Sequence, residues 1–195
     1  MKLILASTSP ARQLILRNAG LTFTSIAPHV DERRIADDHP RWTAHETAAG
    51  LAAAKATKVS LDHPEHLVIG ADQVLEYNGT TYSKPQTIEH CRQQLLELRG
   101  HEHHLISAIC CSSQGIPQWR HSATAKLRMR QFTDAFLEHY LIHIGGECLS
   151  SVGGYKIEAM GLQLFDQIEG DHFTILGLPL LPLLSNLRSL GIIAT

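Results

Sequence analysis

Short apolar runs alternate with helical stretches along this chain of 195 residues, and that alternation limits the folds it can adopt. Residues 2–6 are predicted as a buried strand, after which Ser9 can cap a helix and Pro10 can occupy its first turn. A second buried strand is predicted over residues 66–71, ending at Asp72. Strands followed by helices in this order predict an α/β protein.

Hairpin signals interrupt the alternation and indicate a mixed sheet. Asn78-Gly79, at the centre of residues 74–82, is the strongest short signal for a tight hairpin turn. Residues 105–112 and 119–130 are predicted as two long strands around Gly115-Ile116-Pro117. Hairpins pair antiparallel strands, so the sheet contains more than the parallel pairs of a simple α/β unit.

The remaining segments are assigned by capping and turn residues. Thr43 and Glu46 have the spacing of a capping box before an Ala-rich helix that runs through Lys58. Further helices are predicted over residues 87–98, 133–144 and 178–190, the last of them kinked near Pro182. Residues 28–40 are predicted as a charged loop, and residues 162–165 as a strand.

Composition narrows the class of protein. The chain is 44% hydrophobic and 18% charged, which is typical of a globular protein, and its length predicts one domain over residues 1–195. A formal net charge of -2 gives no general positive field for a nucleic acid. Prolines interrupt the most apolar stretch, residues 175–187, so we expect no membrane span. No export signal is expected, and four dispersed cysteines are interpreted as reduced thiols in the cytoplasm.

Several polar residues could carry chemistry, although none is diagnostic alone. Hydroxyl groups at a helix start, with Arg12 on the first turn, favour a phosphate, but an ordinary Ser cap beside a surface Arg is the more frequent arrangement. Asp72 follows a buried strand, where ligands gather in α/β sheets, and it could also be a simple turn residue. Lys55, Lys84 and Glu32 would usually be solvated charges.

Two clusters are predicted to have no catalytic role. His101-Glu102-His103-His104 alternates between the faces of a strand and has no compact set of metal ligands, so it is predicted to be a solvated strand start. Cys110 and Cys111 also point to opposite faces, which favours packing over a catalytic thiol pair.

Taken together, the polar residues stand in the order of one known family. The matching segments are Leu5-Ala6-Ser7-Thr8-Ser9-Pro10-Ala11-Arg12, Val30-Asp31-Glu32, Ala54-Lys55-Ala56, Gly70-Ala71-Asp72-Gln73, Ser83-Lys84-Pro85, Gly154-Tyr155-Lys156-Ile157-Glu158 and Leu176-Gly177-Leu178-Pro179-Leu180. They cover nearly the whole chain, which resembles the Maf family of nucleoside triphosphate pyrophosphatases. The resemblance implies an elongated, Maf/ITPase-like mixed sheet flanked by helices, with an active cleft between two lobes.

The resemblance also implies a chemical role for each matched residue. Asp72 would be the proton acceptor in hydrolysis of a nucleoside triphosphate to the monophosphate and pyrophosphate. Glu32, together with Asp72, would hold a divalent cation, Mg²⁺ or Mn²⁺. The phosphates would be bound by five residues: Ser7, Ser9, Arg12, Lys55 and Lys84. A homodimer is implied by resemblance only.

Base selection is predicted to depend on Ala11, Gln73 and Glu158. Gln73 and Glu158 resemble the group that acts on methylated guanosine triphosphate, whereas Ala11 stands where relatives often have an Arg. A carboxylate at position 158 can accept hydrogen bonds from the N1 and N2 edge of guanine. Two alternatives remain open: hydrolysis of thymidine and uridine triphosphates, and a regulator of septum formation and cell division that acts by binding.

Overall fold

The computed structural model describes residues 2–194, which contain seven strands and seven α-helices. The strands are β1 (Lys2–Ala6), β2 (Phe23–Ser25), β3 (His66–Tyr77), β4 (Thr80–Tyr82), β5 (Glu102–Ser113), β6 (Ile116–Met129) and β7 (Phe165–Glu169). The helices are α1 (Pro10–Asn18), α2 (Glu32–Asp37), α3 (Ala44–Asp62), α4 (Ile88–Leu98), α5 (Asp134–Ile144), α6 (His172–Ile175) and α7 (Leu180–Ser189).

All seven strands form one mixed sheet, in which the order β2-β1-β3-β5-β6-β7 is completed by β4 pairing with β3. Strand β1 is parallel to both β2 and β3. Strand β4 is antiparallel to β3, and β7 is antiparallel to β6. The predicted α/β class with a mixed sheet is therefore confirmed.

The predicted hairpin turn between β3 and β4 is also confirmed. Asn78 and Gly79 both have positive φ, 50° and 77°. That pair of angles is the one required by the two-residue turn that matches the twist of the flanking strands. Gln114 and Gly115 repeat the arrangement between β5 and β6, with φ of 52° and 76°.

The chain divides into two compact units. The first contains residues up to Gln73, Ile106–Thr124 and the chain from Asp171 onward, and the second contains Val74–Leu105 and Ala125–Gly170. Within residues 2–194, no helix combines the length and the apolar character needed to cross a bilayer. The interpretation of residues 1–195 as one domain stays a prediction.

One face of the sheet in the first unit carries its main hydrophobic core. Alternate residues of β1 and β3 point to this face, because side chains change sides at each step along a strand. They include Leu5 and Ile69, both fully buried, which pack with Leu16 of α1 and Leu183 of α7. Each fully buried side chain of this size stabilises the folded state by about 1.5–3 kcal/mol.

The opposite face packs directly on helix α3. A Cβ atom at Gly70 would lie 2.2 Å from the carbonyl oxygen of Ala52 and 2.7 Å from the nitrogen of Ala56. Helix and strand can therefore approach this closely only because position 70 has no side chain. The contact also explains the position of Lys55. This residue lies in α3 between the two alanines, and its side chain reaches Asp72, which follows Gly70 by two residues in β3.

In the second unit, two glycines shape the turn before Tyr155. Gly153 and Gly154 have φ of 74° and 70°, where a side chain would be strained. The Gly154 carbonyl accepts hydrogen bonds from the Tyr140 hydroxyl at 3.1 Å and from the Cys91 thiol at 3.7 Å. The segment that carries Tyr155 is thus attached to helices α4 and α5 through one backbone group.

Two sequence predictions in the first unit are wrong. The charged segment 28–40 contains helix α2, whose N-cap Asp31 accepts a hydrogen bond from the Arg34 nitrogen at 3.0 Å. Strand β3 does not end at Asp72 but continues to Tyr77, so Asp72 lies inside a strand of 12 residues. Residues beyond Gly70 have no partner in β1, whose last ladder pair is Ala6 with Gly70.

Two predictions near the carboxyl end also need correction, and one short helix was missed. Residues Met160–Leu164 form a 3₁₀ turn, and the strand follows it at Phe165–Glu169. Pro182 lies in the first turn of α7, where a missing N–H breaks no helical hydrogen bond, so the kink predicted there is wrong. The short helix α6 was not predicted; it is capped by Asp171, which accepts from the Thr174 nitrogen at 2.8 Å.

The contact between α3 and β3 makes a first prediction. Gly70→Ala should reduce the free energy of unfolding by about 3 kcal/mol, because the new methyl group meets backbone atoms that cannot rotate away. Gly146→Ala is the matched control, since a Cβ there meets nothing within 4 Å. Urea unfolding of both variants measures the difference, and equal stability would contradict the packing described.

Candidate active site

Three of the predicted site residues lie where β1 ends and α1 begins. Ser7 follows the strand and is buried, and its Oγ accepts a hydrogen bond from the Ser9 nitrogen at 3.2 Å. Ser9 is the N-cap of α1, and its Oγ accepts from the Arg12 nitrogen at 3.4 Å. Ala11 is half-buried on the first turn of the same helix. The predicted cap is confirmed, and it places hydroxyl groups at a helix N-terminus.

Arg12 links the start of α1 to two other segments of the chain through hydrogen bonds. Its Nη1 donates to the Ala71 carbonyl at 2.8 Å and makes a long contact of 3.5 Å with Ser7 Oγ. Its Nε donates to the Gly177 carbonyl at 2.8 Å. Burial lowers the pKa of the guanidinium, and the nearby carboxylates of Asp72 and Glu32 partly oppose that shift. The two N–H groups on Nη2 have no hydrogen-bond partner among residues 2–194.

Lys55 lies between two carboxylates. Its ammonium is 2.6 Å from Asp72 Oδ1 and 2.8 Å from Glu32 Oε1. The Lys55 and Asp72 side chains are only 7% and 8% exposed, whereas that of Glu32 is 52% exposed. Such short, charge-assisted contacts hold strand β3, helix α3 and helix α2 at one point. Lys55 is therefore not the solvated cation that its type alone would suggest.

The environment of Asp72 changes its affinity for a proton. Burial raises the pKa of this carboxyl group, and the opposing charges of Lys55 and then Arg12 reduce the increase. Glu32 adds a smaller increase of its own. A carboxylate with a raised pKa is a stronger base than an exposed one.

Gln73 lies on the other face of the sheet from Asp72, since neighbouring strand residues alternate. Its Nε2 is within hydrogen-bond distance of Ser107 Oγ at 3.0 Å, the Thr174 carbonyl at 3.1 Å and the Ile175 carbonyl at 2.9 Å. Ser107 was missed from the sequence. The sequence signal that could have identified Ser107 was a hydroxyl residue inside the apolar run of a predicted strand.

The remaining predicted residues belong to the second unit. Lys84 is exposed after β4, and Glu158 is exposed three residues after Tyr155. Burial is the main cause that raises the pKa of Tyr140, and the charge of Glu158 adds a smaller increase. The structure thus gathers Ser7, Ser9, Ala11, Arg12, Glu32, Lys55, Asp72 and Gln73 within the first unit.

The prediction of a solvated strand start at residues 101–104 is wrong for His103. This side chain is fully buried, and its Nε2 lies 2.7 Å from the Tyr155 hydroxyl. Its Nδ1 is buried without a hydrogen-bond partner. Burial, with a smaller effect of His104, lowers the pKa of His103 from 6.5 to about 4. Extending the alternation of β5 backward from buried Leu105 would have placed His103 on the inner face.

Glu32 and Asp72 are the side chains that suit a divalent cation. Within residues 2–194, no group of three or more His, Cys, Asp or Glu side chains could hold a metal ion. Mg²⁺, however, is commonly bound by one or two carboxylates, with the remaining ligands supplied by water and substrate phosphates. These two carboxylates already converge on one ammonium ion, and Glu32 has a second oxygen on a half-exposed side chain, so the donor set fits such an ion.

Comparison with known proteins identifies the family. Residues 2–190 match the family model described as Maf-like protein, so the chain belongs to the Maf family and the predicted resemblance is confirmed. It is 45% identical over 190 residues to a nucleoside triphosphate pyrophosphatase of Granulibacter bethesdensis (strain ATCC BAA-1260 / CGDNIH1), covering 96% of each chain. It is also 45% identical over 194 residues to a 7-methyl-GTP pyrophosphatase of Rhizobium johnstonii (strain DSM 114642 / LMG 32736 / 3841), covering 98% of each.

A solved structure of a HAM1 protein from Coxiella burnetii matches with a TM-score of 0.42 and 14% sequence identity. The match covers 68% of this chain and 74% of that one.

The buried His103 predicts how stability depends on pH. The unfolded chain binds a proton at this residue below pH 6.5, whereas the folded protein binds it only near pH 4, so acid favours unfolding in that window. Between pH 7.5 and 4.5, the free energy of unfolding of the wild type should fall by about 2.5 kcal/mol more than that of His103→Gln, because the glutamine does not titrate. Urea unfolding at both pH values measures this, with exposed His139→Gln as control. Parallel losses in wild type and His103→Gln would contradict the assignment.

Proposed function

We propose that this member of the Maf family hydrolyses nucleoside triphosphates to the monophosphate and pyrophosphate. The observation that carries the proposal is the Lys55 ammonium held between the carboxylates of Asp72 and Glu32, with Arg12 beside them. The relatives' names support the reaction class, because both are called pyrophosphatases. They favour an enzyme over the alternative of a division regulator that acts only by binding.

Asp72 is proposed as the general base. Its buried carboxylate has a raised pKa and one oxygen, Oδ1, fixed by Lys55 at 2.6 Å. The second oxygen is left to accept a proton from a water molecule that attacks the α-phosphorus. Lys55 orients this carboxylate and, with the N–H group not used by Asp72 or Glu32, contributes to phosphate binding.

The phosphates are proposed to bind at the start of α1. The free Nη2 of Arg12 offers two N–H donors, and the helix N-terminus next to Ser7 and Ser9 adds partial positive charge. Lys84 is proposed as a further phosphate ligand, supported by its place in the Ser83-Lys84-Pro85 segment. These groups contact a part that all nucleoside triphosphates share, so they lower the barrier without choosing the base.

Glu32 and Asp72 are proposed to hold a divalent ion, Mg²⁺ or Mn²⁺. When bound, such an ion supplies neutralisation of the charge that develops on the leaving pyrophosphate. Glu32 suits this role because its side chain is half exposed while one of its oxygens is fixed by Lys55. Other features stay predictions: a homodimer, no affinity for nucleic acid, and a cytoplasmic location, which the four free thiols support.

Glu158 is proposed to select the base, with a preference for guanine and its methylated form. An ionised carboxylate offers only acceptors, which suit the adjacent N1 and N2 donors of guanine and repel the carbonyl oxygens of uracil and thymine. The name of the Rhizobium relative, 7-methyl-GTP pyrophosphatase, supports this choice. Ala11, where relatives often carry an Arg, is proposed as a further position that affects substrate choice.

The proposed role of Asp72 as the general base makes a direct prediction. Asp72→Asn should reduce turnover by about 100-fold or more while nucleotide binding stays measurable, because an amide keeps the shape but accepts no proton. Pyrophosphate release from a panel of nucleoside triphosphates with Mg²⁺ or Mn²⁺ measures the loss. Asp62→Asn is the control, an exposed carboxylate at the end of α3. Turnover unchanged in Asp72→Asn would exclude Asp72 from the reaction.

The proposed role of Glu158 in selecting the nucleobase makes a separate prediction. Glu158→Gln keeps the size of the side chain but adds a donor, so pyrimidine triphosphates should gain relative to guanine ones. One charged hydrogen bond is worth roughly 1.5–3 kcal/mol, which corresponds to a change of about tenfold to a hundredfold in the ratio of specificity constants. Exposed Glu65→Gln is the control. An unaltered ratio would mean that Glu158 does not contact the base.

A further inference from the structure

The two carboxylates that contact Lys55 differ in how firmly they are held. Asp72 is buried inside β3, whereas Glu32 begins helix α2, which has no buried residue, and its side chain is half exposed. An ion pair with an exposed partner contributes little to stability, because water competes for the charge. The contact between Glu32 and Lys55 can therefore be exchanged for another contact at small cost.

The start of α2 is held by contacts that do not involve the Glu32 side chain. Nζ of Lys58, on α3, donates a hydrogen bond to the His29 carbonyl, three residues before Glu32. The N-cap Asp31 accepts from the Arg34 nitrogen at 3.0 Å. A substitution of Glu32 therefore removes a carboxylate and leaves the backbone around it supported.

Two of the three N–H groups of Lys55 serve carboxylates. Its Nζ lies 2.6 Å from Asp72 Oδ1 and 2.8 Å from Glu32 Oε1, which leaves one N–H for a phosphate oxygen. Acceptors on two N–H groups of one ammonium ion lie about 4.5 Å apart, a distance at which two negative charges repel each other. A phosphate oxygen on Lys55 therefore meets the charge of Glu32 at close range.

The charge of Glu32 also acts on Arg12, the other buried cation of the site. Burial lowers the pKa of the Arg12 guanidinium, and the negative charges of Asp72 and then Glu32 oppose that shift. A field that stabilises a cation disfavours an anion placed beside it. Glu32 thus weakens the attraction of a phosphate chain to both cations.

We propose that Glu32 is an autoinhibitory residue: its carboxylate opposes phosphate binding at Lys55 and Arg12 until it is neutralised by a divalent cation. This inference rests on the cation and phosphate sites of the proposed function. When Glu32 binds the cation, its charge no longer opposes a phosphate chain, and the cations of the site can act together. The site then accepts a triphosphate that carries a divalent cation and disfavours a free polyanion.

Inorganic tripolyphosphate is a suitable probe, because it has the phosphate chain of the substrate and no base. In EDTA, calorimetry should show that Glu32→Ala binds it about tenfold more tightly than wild type, since the repelling carboxylate is gone. Glu32→Gln keeps an acceptor for Lys55 but no charge, so it should also bind more tightly, by a smaller factor. Asp37→Ala removes an exposed carboxylate from the same helix and is the matched control, with an expected change of about twofold or less.

Excess Mg²⁺ should reverse the order of wild type and Glu32→Ala. Without the carboxylate, the variant has lost a ligand for the cation, so it should bind tripolyphosphate about tenfold more weakly than wild type does. A loss of general stability would weaken binding under both conditions, so it could not produce this reversal.

The autoinhibitory role is overturned if neither Glu32 variant binds tripolyphosphate more tightly than wild type in EDTA. An equal gain in Asp37→Ala also overturns it, because the effect is then one of net charge. A gain in Glu32→Ala that persists in Mg²⁺ overturns the release by the cation and with it the proposal.

The binding experiment is independent of hydrolysis, so it separates this inference from the proposed function. If wild type releases pyrophosphate from no nucleoside triphosphate but the reversal is observed, the reaction is wrong and the autoinhibitory role is supported. If wild type releases pyrophosphate and Glu32→Ala shows no gain in EDTA, the reaction is supported and the autoinhibitory role is wrong.

Discussion

The first unit depends on one buried cation. Moving an ammonium ion out of water costs several kcal/mol unless carboxylates replace its hydration, and Lys55 obtains that replacement from Asp72 at 2.6 Å and Glu32 at 2.8 Å. The three residues come from three different elements, so the ion pair can form only when α2, α3 and β3 have all reached their positions. Removing Lys55 would leave the buried Asp72 carboxylate without its ion-pair partner, at a cost of roughly 3–5 kcal/mol.

Features set by neighbouring residues could be predicted from the sequence. The capping box of Thr43 and Glu46 and the Asn78-Gly79 turn each depend on contacts within four positions, and the structure contains both. Helix α2 was missed because its six residues, four of them charged, are too few to show an apolar periodicity. The continuation of β3 past Asp72 was missed because a charged residue inside a strand is unusual unless a distant partner, here Lys55, neutralises it.

The candidate site was identified through the family resemblance, since no single polar residue was diagnostic. The sequence could not indicate how those residues interact. Ser107 lies 34 positions from Gln73, and His103 lies 52 positions from Tyr155, so no local pattern connects the members of either pair. Both contacts form only because the sheet order brings β3 beside β5 and the turn at Gly154 brings Tyr155 to His103.

The close approach at Gly70 has a consequence for how this sequence can change over evolutionary time. The atoms nearest to a Cβ at this position are the Ala52 carbonyl oxygen and the Ala56 nitrogen, which are backbone atoms present whatever residues occupy those positions. A second substitution in α3 therefore cannot compensate for a larger residue at position 70, so the constraint is not epistatic. Among orthologues, position 70 should therefore stay glycine.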